Sequence, residues 1–350
     1  MATEGTFLLA DIGGYTSFLR GVGIEHGKEI TEDLLNTILR CNRERWQLAN
    51  VEGDCIFFYR EGLEPPTELV GHIREIYKDF SQRTIDIAGR AACPCGACTR
   101  TGDLSLKFVV HAGEFETQKI GNRTELVGPD VVVAHRLLKN SVTLDEYVIA
   151  TDAYATDPEA FGLPAQAVSE SFDGVGEVSY QQLDLQPVRE ELEAANRVFI
   201  TKEQATLSIE IDIEAPPERV WKALNDPTEY VVWERLKETK KLPPLPGTSE
   251  MHRCIGPDGS AFVIMTVAED QERLRMTQKV FFSRIVKDIY TTTEVTPMGT
   301  GSHVTCHTTS RVAVPLVAPI LEPLLRLNGR RQMTAHFNHL KEYCEGRLND

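Results

Sequence analysis

The sequence predicts an α+β protein built as two successive domains, and three observations predict it. Through residue 188, continuous apolar runs alternate with stretches of helical periodicity in the order β-α-β-β-α-β, which implies a sheet with helices on one face. Beyond residue 205 the pattern becomes strict alternation and a series of strand-like runs, closed by one long amphipathic segment. Between them, QPVREELEAANRVFITKEQ (186–204) is polar and either helical or linking. The boundaries drawn are a first domain over 1–188, a linker over 189–204 and a second domain over 205–350.

Each element has its own pattern. Residues 6–12 read as a buried strand, and about 22–44 as a helix carrying Ile30, Leu34, Leu35, Ile38 and Cys41 at helical spacing. LANVEGDCIFFY (48–59) places two apolar runs around Glu52-Gly53, the pattern of a tight hairpin. Residues 66–88 put Leu69, Ile73, Ile76, Tyr77 and Phe80 on one helical stripe. LSLKFVVHAGEF (104–115) reads as a strand, VVVAHRLLKN (131–140) as a helix, YVIA (147–150) as a strand and 167–183 as a hairpin. In the second domain ATLSIEIDIEAP (205–216) alternates, with Leu207, Ile209, Ile211 and Ile213 facing inward. A Pro-started short helix, five strand runs and a long helix with Met333, Phe337, Leu340 and Cys344 on one face complete the chain.

Composition narrows the function classes. The net charge of −15 disfavours nucleic acid and anionic membrane as partners. The start, MATEGTFLLAD, lacks the basic flank and apolar run of an export signal. VAVPLVAPILEPLLRL (312–327) is the most apolar late stretch, but Glu322, Arg326 and three prolines make it a poor membrane span. The expectation is a cytoplasmic protein whose eight cysteines are reduced thiols.

Chemistry concentrates where the first strand ends. In LLADIGGYTSFL (8–19) Asp11 closes a hydrophobic run just before Gly13-Gly14 and a helix start. A carboxylate there is partly desolvated and calls for a cation or donors. Glycines permit close backbone approach, and helix-opening amides can face an anion. Asp54 stands at the hairpin tip. Two carboxylates brought together by neighbouring strands can hold one or two hard divalent cations, Mg or Mn.

These motifs resemble the class III nucleotidyl cyclase catalytic domain. FLLADIGGYTSFL is similar to its first metal-binding motif, LANVEGDCIFFY to its second, and LKFVVHAGEF with LVGPDVVVAHRLLKN to its later strand and helix. The resemblance spans most of 6–183 in the family's order. It implies a ferredoxin-like cyclase-type α/β sandwich, Asp11 and Asp54 as metal ligands with the Ile12 carbonyl, and Gly13, Gly14, Tyr15 and Thr16 as the phosphate-cradling turn. It makes Arg136 the transition-state arginine, the one catalytic residue carried over. Asn50 and Glu125 stand where base-reading residues lie, so a nucleoside triphosphate or other nucleotide is the implied partner. The family's site forms between two copies, which implies a homodimer. Four positions depart: Asn50 stands in place of the base-reading lysine of adenylyl cyclases and Glu125 in place of their base-reading aspartate, Val132 replaces an asparagine that orients the ribose, and Val175 replaces a phosphate-binding lysine. Loss of one preorganised donor costs about 3–4 kcal/mol of transition-state stabilisation. Two losses predict impaired or absent turnover, with metal or nucleotide binding retained.

CPCGAC (93–98) sets Cys93, Cys95 and Cys98 at a spacing that suits one soft metal, Zn or Fe, with a fourth ligand among Cys41, Cys55 and His111. Reduced loop thiols are the plain alternative.

IDIEAPPERVWKALNDPTEYVVW, with the strand runs and long helix after it over about 205–347, resembles the START-like, polyketide-cyclase (SRPBCC) superfamily. That implies a helix-grip fold, a curved antiparallel sheet around a long C-terminal helix, enclosing a pocket for a lipophilic small molecule. Phe262, Ile264, Met276, Phe281, Met333 and Phe337 are the expected lining, with His252, His303 and His307 as head-group candidates. The preferred reading is a two-domain sensor or binding protein with a degenerate cyclase-like module. The alternative is an active metal-dependent cyclase with altered base specificity, regulated by the second domain.

Overall fold

The computed structural model describes residues 2–43, 45–89, 97–242, 245, 248, 250–281, 286–312 and 318–347. The chain divides into two compact units, Met1–Ile87 with Arg100–Leu192, and Ala88–Thr99 with Glu193–Asp350.

The first unit contains β1 (Thr3–Gly13), α1 (Tyr15–Gly21), α2 (Ile24–Asn42), β2 (Gln47–Glu52), β3 (Cys55–Glu61) and α3 (Pro66–Ala88). It continues through β4 (Ser105–Ile120), β5 (Arg123–Val127), α4 (Pro129–Arg136), β6 (Tyr147–Thr151), β7 (Ala165–Phe172) and β8 (Gly176–Asp184), and ends in α5 (Gln186–Asn196). Among the described residues its sheet runs β2-β3-β1-β4-β6-β8-β7, with β5 pairing the far end of β4. All neighbours are antiparallel except β4 and β6, which are parallel and joined through α4. Phe7, Leu8, Leu9 and Ala10 are all 0% exposed, so β1 is covered on both faces, not on one. On one face α4 packs Val131, Ala134 and Leu137 against Phe7, Leu9, Phe57, Val109, Tyr147 and Ile149. The buried stripes of α2 (Ile30, Leu34, Ile38) and α3 (Leu69, Ile73, Ile76, Tyr77, Phe80) leave those helices to cover the other.

Two differences from the sequence reading have plain causes. The strand read to residue 115 runs on to Ile120 and turns back as β5, because a polar two-strand ribbon with alternating charges shows no apolar period. The helix read over 131–140 starts at Pro129, and its last turn, Leu137–Lys139, is a 3₁₀ turn whose carbonyl Leu137 O accepts from Asn140 Nδ2 (2.7 Å).

The second unit contains β9 (Leu207–Ile213), α6 (Pro217–Asn225), α7 (Pro227–Trp233), β10 (Glu238–Leu242), β11 (Glu250–Ile255), β12 (Ala261–Asp270), β13 (Arg275–Phe281), β14 (Val286–Met298), β15 (Gly301–Val312) and α8 (Ala318–Cys344). Its antiparallel sheet has the order β10-β11-β12-β13-β14-β15-β9, and α8 lies against β9 and β15. Ile213, Val220, Trp233, Met276, Val295, Val304, Phe337 and Leu340 form the core between sheet and helices. Trp233 is fully buried and donates its Nε1–H to Ala223 O (2.8 Å), which ties α7 to α6. The architecture is α+β throughout, a sheet sandwiched by helices followed by a helix-grip unit.

Candidate functional site

Asp11 is reached through ordinary strand geometry. On β1 it stands opposite Cys55 of β3 and Lys107 of β4, and cross-strand partners point to the same face. Asp54 is brought to the same place by a turn. Glu52 pairs with Cys55, leaving a two-residue loop whose first position, Gly53, has φ +66°. The Ile12 N–H donates to the Asp54 carbonyl (3.1 Å), tying the turn to β1.

The electrostatics register that convergence. Burial, then the neighbouring Asp54 charge, push the Asp11 carboxyl up to about 6, and Lys107 opposes them. Burial also raises Asp54, against a backbone hydrogen bond and Lys107. The Cys55 thiol beside them is raised by burial and by both carboxylates. Burial and the Asp54 charge thus disfavour ionisation of Asp11, the condition a bound cation would relieve. Two hard oxygen donors suit a hard divalent ion, so the donor set fits the implied Mg or Mn. Among the described residues no group of three or more His, Cys, Asp or Glu side chains gathers at one point.

Gly13 and Gly14 have a reason inside the chain. A Cβ at Gly13 would stand 2.2 Å from Ser105 Oγ and 2.9 Å from Lys107 Cε. Gly14 has φ +78°, and its added Cβ would meet Asp103 O at 2.5 Å. Past the turn, α1 opens with the Phe18 N–H on Gly14 O (2.9 Å), Tyr15 is half-buried and Thr16 exposed. Asn50 is engaged locally: its amide donates to Glu52 Oε1 (3.1 Å) and its Oδ1 accepts from the Val51 N–H (2.8 Å). Glu125 lies on β5 opposite Gln118, and β2 and β5 come into contact. Arg136 ends α4, half-buried, and its guanidinium makes no hydrogen bond or ion pair among the described residues. The cation beside Asp11 and Asp54 is instead Lys107, which the sequence reading missed. Its signal was a lysine in the middle of LSLKFVV, a strand otherwise buried at its centre.

The cysteine proposal falls largely outside the described residues, since Cys93 and Cys95 do. Of the three clustered cysteines only Cys98 is described, half-buried at the start of a 3₁₀ turn. Of the fourth-ligand candidates, Cys41 and Cys55 are buried and His111 is engaged within the first unit. Its Nδ1 meets Thr151 Oγ1 (2.7 Å), its Nε2 faces Asp130 Oδ1 (3.4 Å), and its ring stacks on Phe7.

In the second unit a small cavity of about 20 Å³ lies among Leu224, Tyr230, His252, Cys254, Ile264 and Gln278. That is room for about one water, and much of the lining is polar. Of the expected lining residues Ile264 is there. Met276 and Phe337 are 1% exposed in the core with Met333 packed against them, while Phe262 and Phe281 are half-exposed on their strands. Of the head-group candidates only His252 lines the cavity, with its Nε2 buried and unpartnered. His303 is held by Asp212 (2.6 Å) and His307 by Ser208 (2.9 Å).

Known proteins divide along the same line. Residues 204–345 match the family described as polyketide cyclase/dehydrase and lipid transport, and residues 31–147 match a family described as a protein of unknown function. The chain is similar to two families in tandem. An uncharacterized protein of Mycobacterium tuberculosis is 35% identical over 140 residues, covering 40% of this chain, and the chain spans 66% of that relative's length. Solved structures similar to part of the chain include the adenylyl cyclase CyaB from P. aeruginosa, at 13% identity and TM-score 0.40, covering 53% of this chain and 95% of that one. The guanylate cyclase domain of RhGC from Catenaria anguillulae, solved with GTP, gives 12%, 0.39, 52% and 96%. Ara h 8.0201 gives 13%, 0.34, 40% and 97%. Among the described residues no helix is long and apolar enough to cross a membrane.

Proposed function

We propose that the first unit binds a divalent cation and a nucleoside triphosphate at Asp11, Asp54 and the Gly13–Gly14 turn, with cyclisation impaired, and that the second unit is a regulatory small-molecule module. The observation that carries this reading is the convergence of Asp11, on β1, with Asp54, in the turn that the Ile12 N–H ties to β1, so that the Asp54 charge bears on Asp11. The cation would neutralise that pair and the phosphate chain. Asp11 and Asp54 would hold it with the Ile12 carbonyl, and the turn would orient the phosphates.

Two features support low turnover. Val132, 50% exposed, offers no donor or acceptor on α4, and Val175 is packed against the core. A second copy is the partner the site calls for, because Arg136 finds no partner among the described residues of its own chain. Leu48 and Val51 of β2, Val127 of β5 and Val132 of α4 also leave 40–50% of their surface exposed on elements that neighbour one another.

The test is incubation with each nucleoside triphosphate and Mn²⁺, with mass spectrometry for a 3′,5′-cyclic product and calorimetry for binding. Binding without product is expected, and Asp54→Asn should abolish it. Product lost in that variant would instead establish an active cyclase. No heat with any nucleotide would leave the acids as structural residues.

A further inference from the structure

Lys107 has no counterpart in the two-acid picture. Its backbone pairs with Asp11 across the β1–β4 ladder, and its stem lies over Gly13, where an added Cβ would stand 2.9 Å from Cε and 3.5 Å from Nζ. The ammonium faces the Tyr147 ring at 5.7 Å. It is close enough to act on both carboxylates, yet no ion pair within 4 Å joins it to either. It thus stands off from the acids with its charge directed at the same space. Gly13 makes this placement possible, since any side chain there would displace the lysine stem.

We propose that Lys107 is a built-in counter-cation of the Asp11–Asp54 pair, which restricts the site to a single divalent ion and weakens its binding. The charges give the direction. Two carboxylates and one ammonium leave one net negative charge, enough to favour one divalent ion. A second would enter a site already net positive. The inference rests on the metal-binding reading above and adds a positioning residue to it.

Mn²⁺ titration of the full chain, with free Mn²⁺ followed by paramagnetic resonance, tests both separately. Wild type should take up one Mn²⁺ per chain. Lys107→Met and Lys107→Gln should bind it at least about tenfold more tightly, the scale of a nearby unit charge at intermediate dielectric. Lys107→Arg, which keeps the charge, should stay near wild type, and thermal unfolding of all three variants checks that the sheet is intact. Equal affinity in wild type and both neutral variants, with binding lost in Asp54→Asn, would overturn the role of Lys107 and leave the metal site standing. Two ions bound per wild-type chain would overturn it too. No Mn²⁺ bound by wild type or by any variant would remove the metal reading itself, and this inference with it.

Discussion

The two units treat their polar groups in opposite ways. In the first, Asp11, Asp54 and Lys107 gather at the end of an otherwise apolar sheet face, near one another but without a closed ion pair. In the second, two of the three head-group candidates are already satisfied, His303 by Asp212 and His307 by Ser208, while His252 keeps a buried, unpartnered Nε2. Its helix-facing apolar side chains, Met276 and Phe337 among them, pack in a core, and a small cavity of about 20 Å³ lies beside Tyr230 and His252. Unfinished electrostatics mark a place where a charged ligand can be accommodated, whereas satisfied hydrogen bonds mark groups already committed within their own unit.

That contrast breaks most visibly at Phe337. As a core residue, its truncation in Phe337→Ala should cost about 3–5 kcal/mol in urea unfolding. A lining residue of a large ligand cavity would be removed with little loss, so a near-neutral result would instead place Phe337 on the wall of such a cavity. Next in size is the cation itself. At one hundred times its dissociation constant, Mn²⁺ should stabilise the first unit by about 2.7 kcal/mol, and Asp54→Asn should lose that gain in calorimetric melts. Gly13→Ala comes third, at about 1–3 kcal/mol, because the new methyl would collide with Ser105 and Lys107.

The smallest expected effect is the pH dependence. Asp11 sits near 6 in the folded chain and 3.8 when unconstrained, so between those values the folded state holds more protons than the unfolded one. Without metal, stability from this group should fall as pH rises from about 4 to 6 and level off above. Asp11→Asn should flatten that segment in melts across the range. Mn²⁺ should oppose the trend, stabilising at about pH 7.5 and losing its effect near about pH 5, where the carboxyl is protonated.

Much of the first unit was legible locally. Helical stripes such as Leu69, Ile73, Ile76 and Tyr77 fix which face is buried, and a Gly next to Asp between two apolar runs specifies a tight hairpin. The ribbon of β4 and β5 was not legible, because a polar two-strand extension buries too little to leave a period. Nor was the packing of the second unit. Met276 and Phe337 have the residue types of either a core or a pocket wall, and only the gap between sheet and helix distinguishes them.

The sequence by itself determined the order of elements, the placement of Asp11 and Asp54 at strand ends, and the glycines that allow the turn between β1 and α1. These depend on residue type and on spacing along the chain. Tertiary structure alone decided that Lys107 shares the space of the two acids, that Arg136 stands without a partner among the described residues, and that Met276 and Phe337 pack in the core of the second unit. Those outcomes depend on strand register and on three-dimensional volume, which join residues that no local pattern connects.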